Sequence, residues 1–122
     1  MSLLPKPMTQ HTFRLVGVNF RPAGRAVLPT LSEGTVLILE PEPTNPHDPR
    51  AIKVCVDLEG HPIWAKDIAS EPDGPIVHLG YIPRIKTGEV FNIIRSPNWE
   101  AALTFDMAGE PLVRIEVQQE AA

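Results

Sequence analysis

The chain has 122 residues, enough for one domain that buries roughly two-thirds of its unfolded surface. With 43% hydrophobic and 21% charged residues it is neither a disordered tail nor a membrane span. Fourteen prolines exclude an all-helical bundle, and the single cysteine, Cys55, excludes an intramolecular disulfide or an all-cysteine zinc cage within one chain.

No Gly-x-x-x-x-Gly-Lys phosphate loop occurs, so motor ATPase chemistry is not expected. The N-terminus has no extended apolar core of the secretory kind, and the expected location is cytoplasmic, with a nucleoid-associated function compatible. The formal net charge of −4 argues against strong non-specific binding to duplex phosphates. Its distribution is uneven. Residues 1–40 carry four basic and two acidic side chains, residues 41–80 three and seven, and residues 81–122 four and six. A local basic face is therefore compatible with the overall acidity.

In chain order, residues 1–11 read as a loose arm. Thr12 to Arg21 reads as a half-buried strand, with Val16, Val18 and Phe20 alternating with Gly17, Asn19 and Arg21. Residues 22–34 read as a long connection and Thr35 to Glu40 as a second strand. Pro41 to Pro49 holds too many prolines for a ladder and is a shaped loop. Ala51 to Leu58 is a third strand, with Ile52, Val54, Val56 and Leu58 on one face. Glu59 to Pro75 reads as a hairpin excursion. Ile76 to Ile82 is a fourth strand, stopped by Pro83. Arg84 to Arg95 forms a short helix packing through Ile85, Val90, Ile93 and Ile94, although Gly88 weakens it. Ala101 to Met107 and Leu112 to Gln118 are closing strands, and 119–122 is a tail. About six strands with one or two short helices, in one domain over 12–118, imply a mostly β protein. Closure into a small β-barrel would remove the exposed edges.

The segment from Glu42 to Val54, EPTNPHDPRAIKV, is unusual. Pro43, Pro46 and Pro49 fix their own φ and bias the residues before them toward extended geometry. Thr44, Asn45 and Asp48 are suited to bonding nearby backbone amides. On spacing alone this is a well-made strand connection. Read functionally, it is a stiff loop that presents His47, Asp48 and Arg50 at fixed positions. A second signal is Gly80-Tyr81-Ile82-Pro83-Arg84, a strand ending in a proline stop with an arginine beyond it.

Taken together with Val16-Gly17-Val18-Asn19-Phe20-Arg21, these segments resemble the HIRAN domain family in order and spacing, from about Thr12 to Val117. The specific part is Asn45-Pro46-x-Asp48, then Ala51-Ile52-x-Val54, then Gly-Tyr-Ile-Pro-Arg. The resemblance implies an OB-like β-barrel with small helices. HIRAN domains occur attached to fork-remodelling helicases and as stand-alone bacterial or phage proteins, and the helicase-attached kind binds single-stranded DNA at a free 3′ end.

Carried onto this chain, the position before the strand-one aromatic is Asn19, where DNA-binding members have a basic residue. The aromatic is matched by Phe20, the loop aromatic by His47 and the loop carboxylate by Asp48. Asn19 thus lacks a phosphate partner, and His47 is a smaller stacking platform than tyrosine. Arg21 supplies a charge two positions along. The alternation places Phe20 in the core, with Asn19 and Arg21 outward, and a strand-end twist or bulge would turn Phe20 toward ligand.

The chemistry of such a site follows from charge. A carboxylate repels an internal phosphate but accepts a hydrogen bond from a terminal hydroxyl, so Asp48 would select an unphosphorylated end. Flat side chains would hold the last bases, and Arg21, Arg50 and Arg84 at the rim the adjacent phosphates. Arg14, Arg21, Arg50 and Arg84 are expected to ring a concavity containing Asp48. The expected nucleic-acid-binding set is Asn19, Phe20, Arg21, His47, Asp48, Arg50, Tyr81 and Arg84.

His11, His47, His61 and His78 match no standard metal-ligand spacing, and no metal or other cofactor is expected. Adjacent His47 and Asp48 on an extended loop point in different directions and make a poor acid–base pair. Trp99 reads as a packing residue, and Trp64 stays open between packing and contact. The resemblance thus implies a non-catalytic module that binds single-stranded DNA at a free 3′ end, serving repair, replication or recombination. The alternative is an interaction module docking onto a helicase, nuclease or phage factor with little DNA affinity.

Overall fold

The computed structural model describes residues 8–59 and 75–118. The expected hairpin excursion, with Trp64 and His61, lies outside the described residues for its span 60–74, as do residues 1–7 of the arm and the tail 119–122.

Six strands form one antiparallel sheet: β1 (Met8–Arg14), β2 (Val36–Pro41), β3 (Ile52–Asp57), β4 (Ile76–Tyr81), β5 (Trp99–Phe105) and β6 (Pro111–Gln118). Their spatial order is β1-β6-β5-β2-β3-β4. Two short helices accompany them, α1 (Pro22–Val27) and α2 (Thr87–Ile94). The two edges of the sheet meet at one antiparallel bridge, Val16 with Tyr81, and not along a ladder. Among the described residues the sheet is therefore open, and the closed barrel expected from the sequence is not what this pairing forms.

Alternation with period two accounts for most of the sheet's share of the core, although Cys55, on the opposite face of β3 from Val54 and Val56, is buried as well. Leu37 and Leu39 of β2, Val77 and Leu79 of β4, Leu103 of β5, and Val113 and Ile115 of β6 point inward and are buried. Ile52, Val54, Val56 and Leu58 are buried as the β3 pattern requires. Between Val54 and Cys55 the β3–β4 register shifts, so Leu79 falls between two paired positions and Leu79 and Gly80 are buried consecutively. Such an irregularity bends and twists a strand locally. It lies two residues before Tyr81, where β4 ends.

The strand expected from Thr12 to Arg21 does not run over that span. β1 begins earlier, at Met8, taking in residues expected in the arm, and ends at Arg14. Gly17 then adopts φ 78°, a left-handed conformation open to glycine at little cost, and Val18–Phe20 form a 3-10 turn. The alternation therefore stops at Gly17. Phe20 is 85% exposed and not part of the core.

The expected long connection over 22–34 contains α1, started by Pro22 in its first turn, and a second 3-10 turn, Leu28–Thr30. Gly24 lets α1 lie directly on β4: a Cβ there would stand 2.6 Å from the His78 carbonyl oxygen. The helix expected after Pro83 is present as a 3-10 turn, Arg84–Lys86, followed by α2. Val90 and Ile93 are buried and Ile94 packs on the core, whereas Ile85 is 89% exposed because the 3-10 turn precedes the regular helix. Trp99 packs against the core as expected. No helix among the described residues is long and apolar enough to cross a membrane.

Candidate functional site

The proline-rich loop between β2 and β3 is ordered by its own side chains. Glu42 N–H donates to Ala51 O at 2.8 Å and Ala51 N–H to Asp48 O at 3.0 Å. Asn45 Oδ1 accepts two backbone N–H groups, from His47 at 2.8 Å and from Asp48 at 3.0 Å. Asp48 Oδ1 accepts the N–H of Arg50 at 2.9 Å. The prolines carry no N–H to satisfy, and the side chains of Asn45 and Asp48 serve the amides of His47, Asp48 and Arg50, as their chemistry predicts.

This loop and the end of β4 wall an open groove of about 340 Å³, lined by Val16, Asn45, His47, Asp48, Ala51, Tyr81, Ile82 and Arg84. The Asp48 side chain is 19% exposed, and its Oδ2 lies 3.9 Å from Nε of the exposed Arg84. One oxygen of the carboxylate thus holds the loop, while the other faces a solvent-exposed cation at the groove wall. Main-chain amides do not exhaust its accepting capacity.

Behind the groove is a polar network. The Tyr81 hydroxyl donates to Glu42 Oε1 at 3.0 Å, and Asn45 Nδ2 donates to the same oxygen at 2.7 Å. Lys53 Nζ stands 3.6 Å from Glu42 Oε2. Burial acts to raise the Glu42 pKa, but the hydrogen bonds from Asn45 and Tyr81, with the charges of Lys53 and His78, outweigh it and hold the carboxyl below its ordinary 4.5. The Tyr81 phenol is pushed up, by burial first and then by its bond to Glu42.

His78 packs edge-on against Tyr81, with ring centroids 4.7 Å apart. Its Nε2 lies 2.8 Å from Gly80 O. A carbonyl only accepts, so Nε2 carries the proton. Burial, reinforced by the charge of Arg21, pushes the His78 pKa down to about 4.

Of the residues expected from the sequence, the groove gathers His47, Asp48, Tyr81 and Arg84. Asn19, Phe20 and Arg21 belong to the adjoining 3-10 turn and its exit. Phe20 and Arg21 line a hollow of about 140 Å³ together with His78. Asn19 and Phe20 line another of about 320 Å³ with Arg25. His78 and Tyr81 touch, so the first hollow adjoins the groove.

Arg50 goes elsewhere. Its guanidinium sits 5.9 Å from the Phe91 ring centroid on α2 and is not among the groove's lining residues. Arg14, on β1, does not line the groove either. The expected ring of four arginines thus reduces to Arg84 on the groove and Arg21 beside it. Glu42 and His78 are not among the site residues expected from the sequence. Their signals were an acidic residue opening the proline loop, and a polar residue between the inward-facing Val77 and Leu79. No group of three or more His, Cys, Asp or Glu side chains is placed to hold a metal among the described residues.

The family model for the HIRAN domain matches residues 9–120. HIRAN domains are in general DNA-binding modules without catalysis of their own. No curated protein matches the sequence significantly. A crystal structure of a protein from Lactobacillus plantarum, a structural genomics target, is similar with a TM-score of 0.62 at 18% identity, over 95% of this chain and 100% of that one. That likeness concerns the fold. With the match running over nearly its whole length, the chain belongs to the HIRAN domain family.

Proposed function

We propose that this chain is a non-catalytic module that binds single-stranded DNA and receives a free 3′ end in the groove between the Glu42–Arg50 loop and the end of β4. The observation that carries this reading is the state of Asp48. Its carboxylate is held at the groove by one amide, with Arg84 beside it and accepting capacity to spare. A 3′-hydroxyl donates to such a group, while a phosphate in the same place is repelled.

Arg84 then serves the phosphate next to the terminal nucleotide. His47 and Tyr81 offer flat faces to the last base, and Arg21 and Phe20 receive the strand as it leaves. Asn19 lies beside that path without a charge. The site's charges are few, which agrees with a net charge of −4 and predicts that ends, not long tracts, are preferred. A part in repair, replication or recombination, in the cytoplasm and beside a helicase or nuclease, is the setting such an activity would serve.

The test is competition between linear single-stranded DNA and circular single-stranded DNA of the same sequence at low salt. The reading expects the linear form to displace a labelled 3′-ended probe at lower nucleotide concentration. Equal competition by the circle would remove end recognition. A labelled 3′-ended probe that stays unbound at low salt would favour the docking of a protein on the same face, to which the exposed Phe20 would contribute.

A further inference from the structure

We propose that Glu42, which does not line the groove, is the residue that positions Asp48 within it; the proposal rests on the end-binding reading above. The connection runs through three side chains. Tyr81, at the end of β4, donates its hydroxyl proton to Glu42 Oε1 at 3.0 Å. Asn45 donates Nδ2 to that same oxygen at 2.7 Å. Asn45 Oδ1 then accepts the backbone N–H groups of His47 and Asp48, at 2.8 and 3.0 Å.

A carboxylate only accepts hydrogen bonds. It therefore compels Asn45 to present its nitrogen inward and its oxygen to the two amides. Rotating the Asn45 amide by half a turn would set nitrogen against N–H at His47 and Asp48, and oxygen against the Glu42 carboxylate. Glu42 thus fixes which way Asn45 faces, and Asn45 fixes the backbone from which the Asp48 carboxyl projects.

The same oxygen also ties this loop to β4 across 39 positions of sequence. Both walls of the groove are thereby referred to one atom. Lys53, at 3.6 Å from the other oxygen, keeps the group charged, and Asn45, Tyr81 and Lys53 all act to favour the ionised form. Glu42 acts through Asn45 and Tyr81 and makes no contact with DNA in this account.

The experiment compares wild type, Glu42→Ala and Glu42→Gln. The primary readout is the ratio of affinities for one oligonucleotide bearing a 3′-hydroxyl or a 3′-phosphate. A second is amide hydrogen exchange at His47 and Asp48 in the DNA-free protein, with the urea midpoint measured alongside. Glu42→Ala is expected to lower the hydroxyl preference about tenfold and to speed exchange at those two amides. Glu42→Gln keeps a carbonyl oxygen for Asn45 and Tyr81 and is expected to restore both. A Glu42→Ala protein that keeps the preference, or a Glu42→Gln protein that fails like alanine while folded, overturns the proposal. A wild type without any preference overturns the end-binding reading itself and the proposal with it, and is recognised because the unaltered protein fails.

Discussion

Val16 and Tyr81 exchange both backbone hydrogen bonds, N–H to O at 3.0 Å in one direction and 2.8 Å in the other. This single bridge brings the segment leaving β1 against the last residue of β4, and both residues line the groove. Gly80 makes the approach possible: a Cβ there would collide with the Val16 carbonyl oxygen and crowd Leu15 and Val18. Gly80→Ala is therefore expected to destabilise the fold by roughly 1–3 kcal/mol. Gly17→Ala, which meets only ordinary contact but sits at φ 78°, is expected to cost roughly 1–2 kcal/mol. Urea unfolding at constant m-value measures both.

Phe20 tests the strand's exit path separately from the fold. It is exposed, so Phe20→Ala is expected to leave the urea midpoint nearly unchanged. It should weaken binding of single-stranded DNA by about 1–3 kcal/mol if a base stacks on the ring. Unchanged affinity in a titration would take Phe20 out of the path.

The arginines divide by direction. Arg84→Ala and Arg21→Ala are each expected to flatten the plot of log affinity against log salt by about 0.7, the value for one phosphate contact on a single strand. Arg50 lies over Phe91, so Arg50→Ala is expected to leave that slope unchanged and to lower stability modestly, by about 0.5–1 kcal/mol. A reduced slope for Arg50→Ala would return it to the phosphate rim.

Two groups make the fold acid-sensitive. His78 titrates near 4 in the folded chain against an ordinary 6.5. Between those values the unfolded chain takes up a proton that the folded chain refuses, so stability falls as pH drops from 6.5 toward 4. Glu42 is held below 4.5, so its stabilisation is present above that pH and is lost as pH falls through the lowered value. Urea midpoints at about pH 7.5 and about pH 5 span most of the range over which the histidine contributes. His78→Gln is expected to remove most of the difference between them, and an unaltered difference would contradict the assignment.

The core was legible because it obeys alternation: Leu37, Leu39, Val54, Val56, Val77 and Leu79 follow period two and are buried. The loop was legible because Pro43, Pro46 and Pro49 leave few amides, and Asn45 and Asp48 have short polar side chains that reach them. The segment from Val16 to Phe20 misled for the same reason. Its apolar residues alternate, yet Gly17 turns the chain and the period ends there. The direction of Arg50 depends on Phe91, which is remote in sequence, and local pattern holds no trace of it. Barrel closure depends likewise on which edges meet. Only the bridge between Val16 and Tyr81 joins them among the described residues.

Asp48 carries the whole account, and the most direct measurement is the affinity of wild type and Asp48→Asn for one strand ended by a 3′-hydroxyl or by a 3′-phosphate. Asparagine keeps an oxygen for the Arg50 N–H and removes the charge. The account predicts that wild type prefers the hydroxyl by about 1–3 kcal/mol, and that Asp48→Asn closes most of the gap, in part by binding the phosphate-ended strand better. Equal affinity of wild type for the two strands, or a preference that survives in Asp48→Asn, would contradict it.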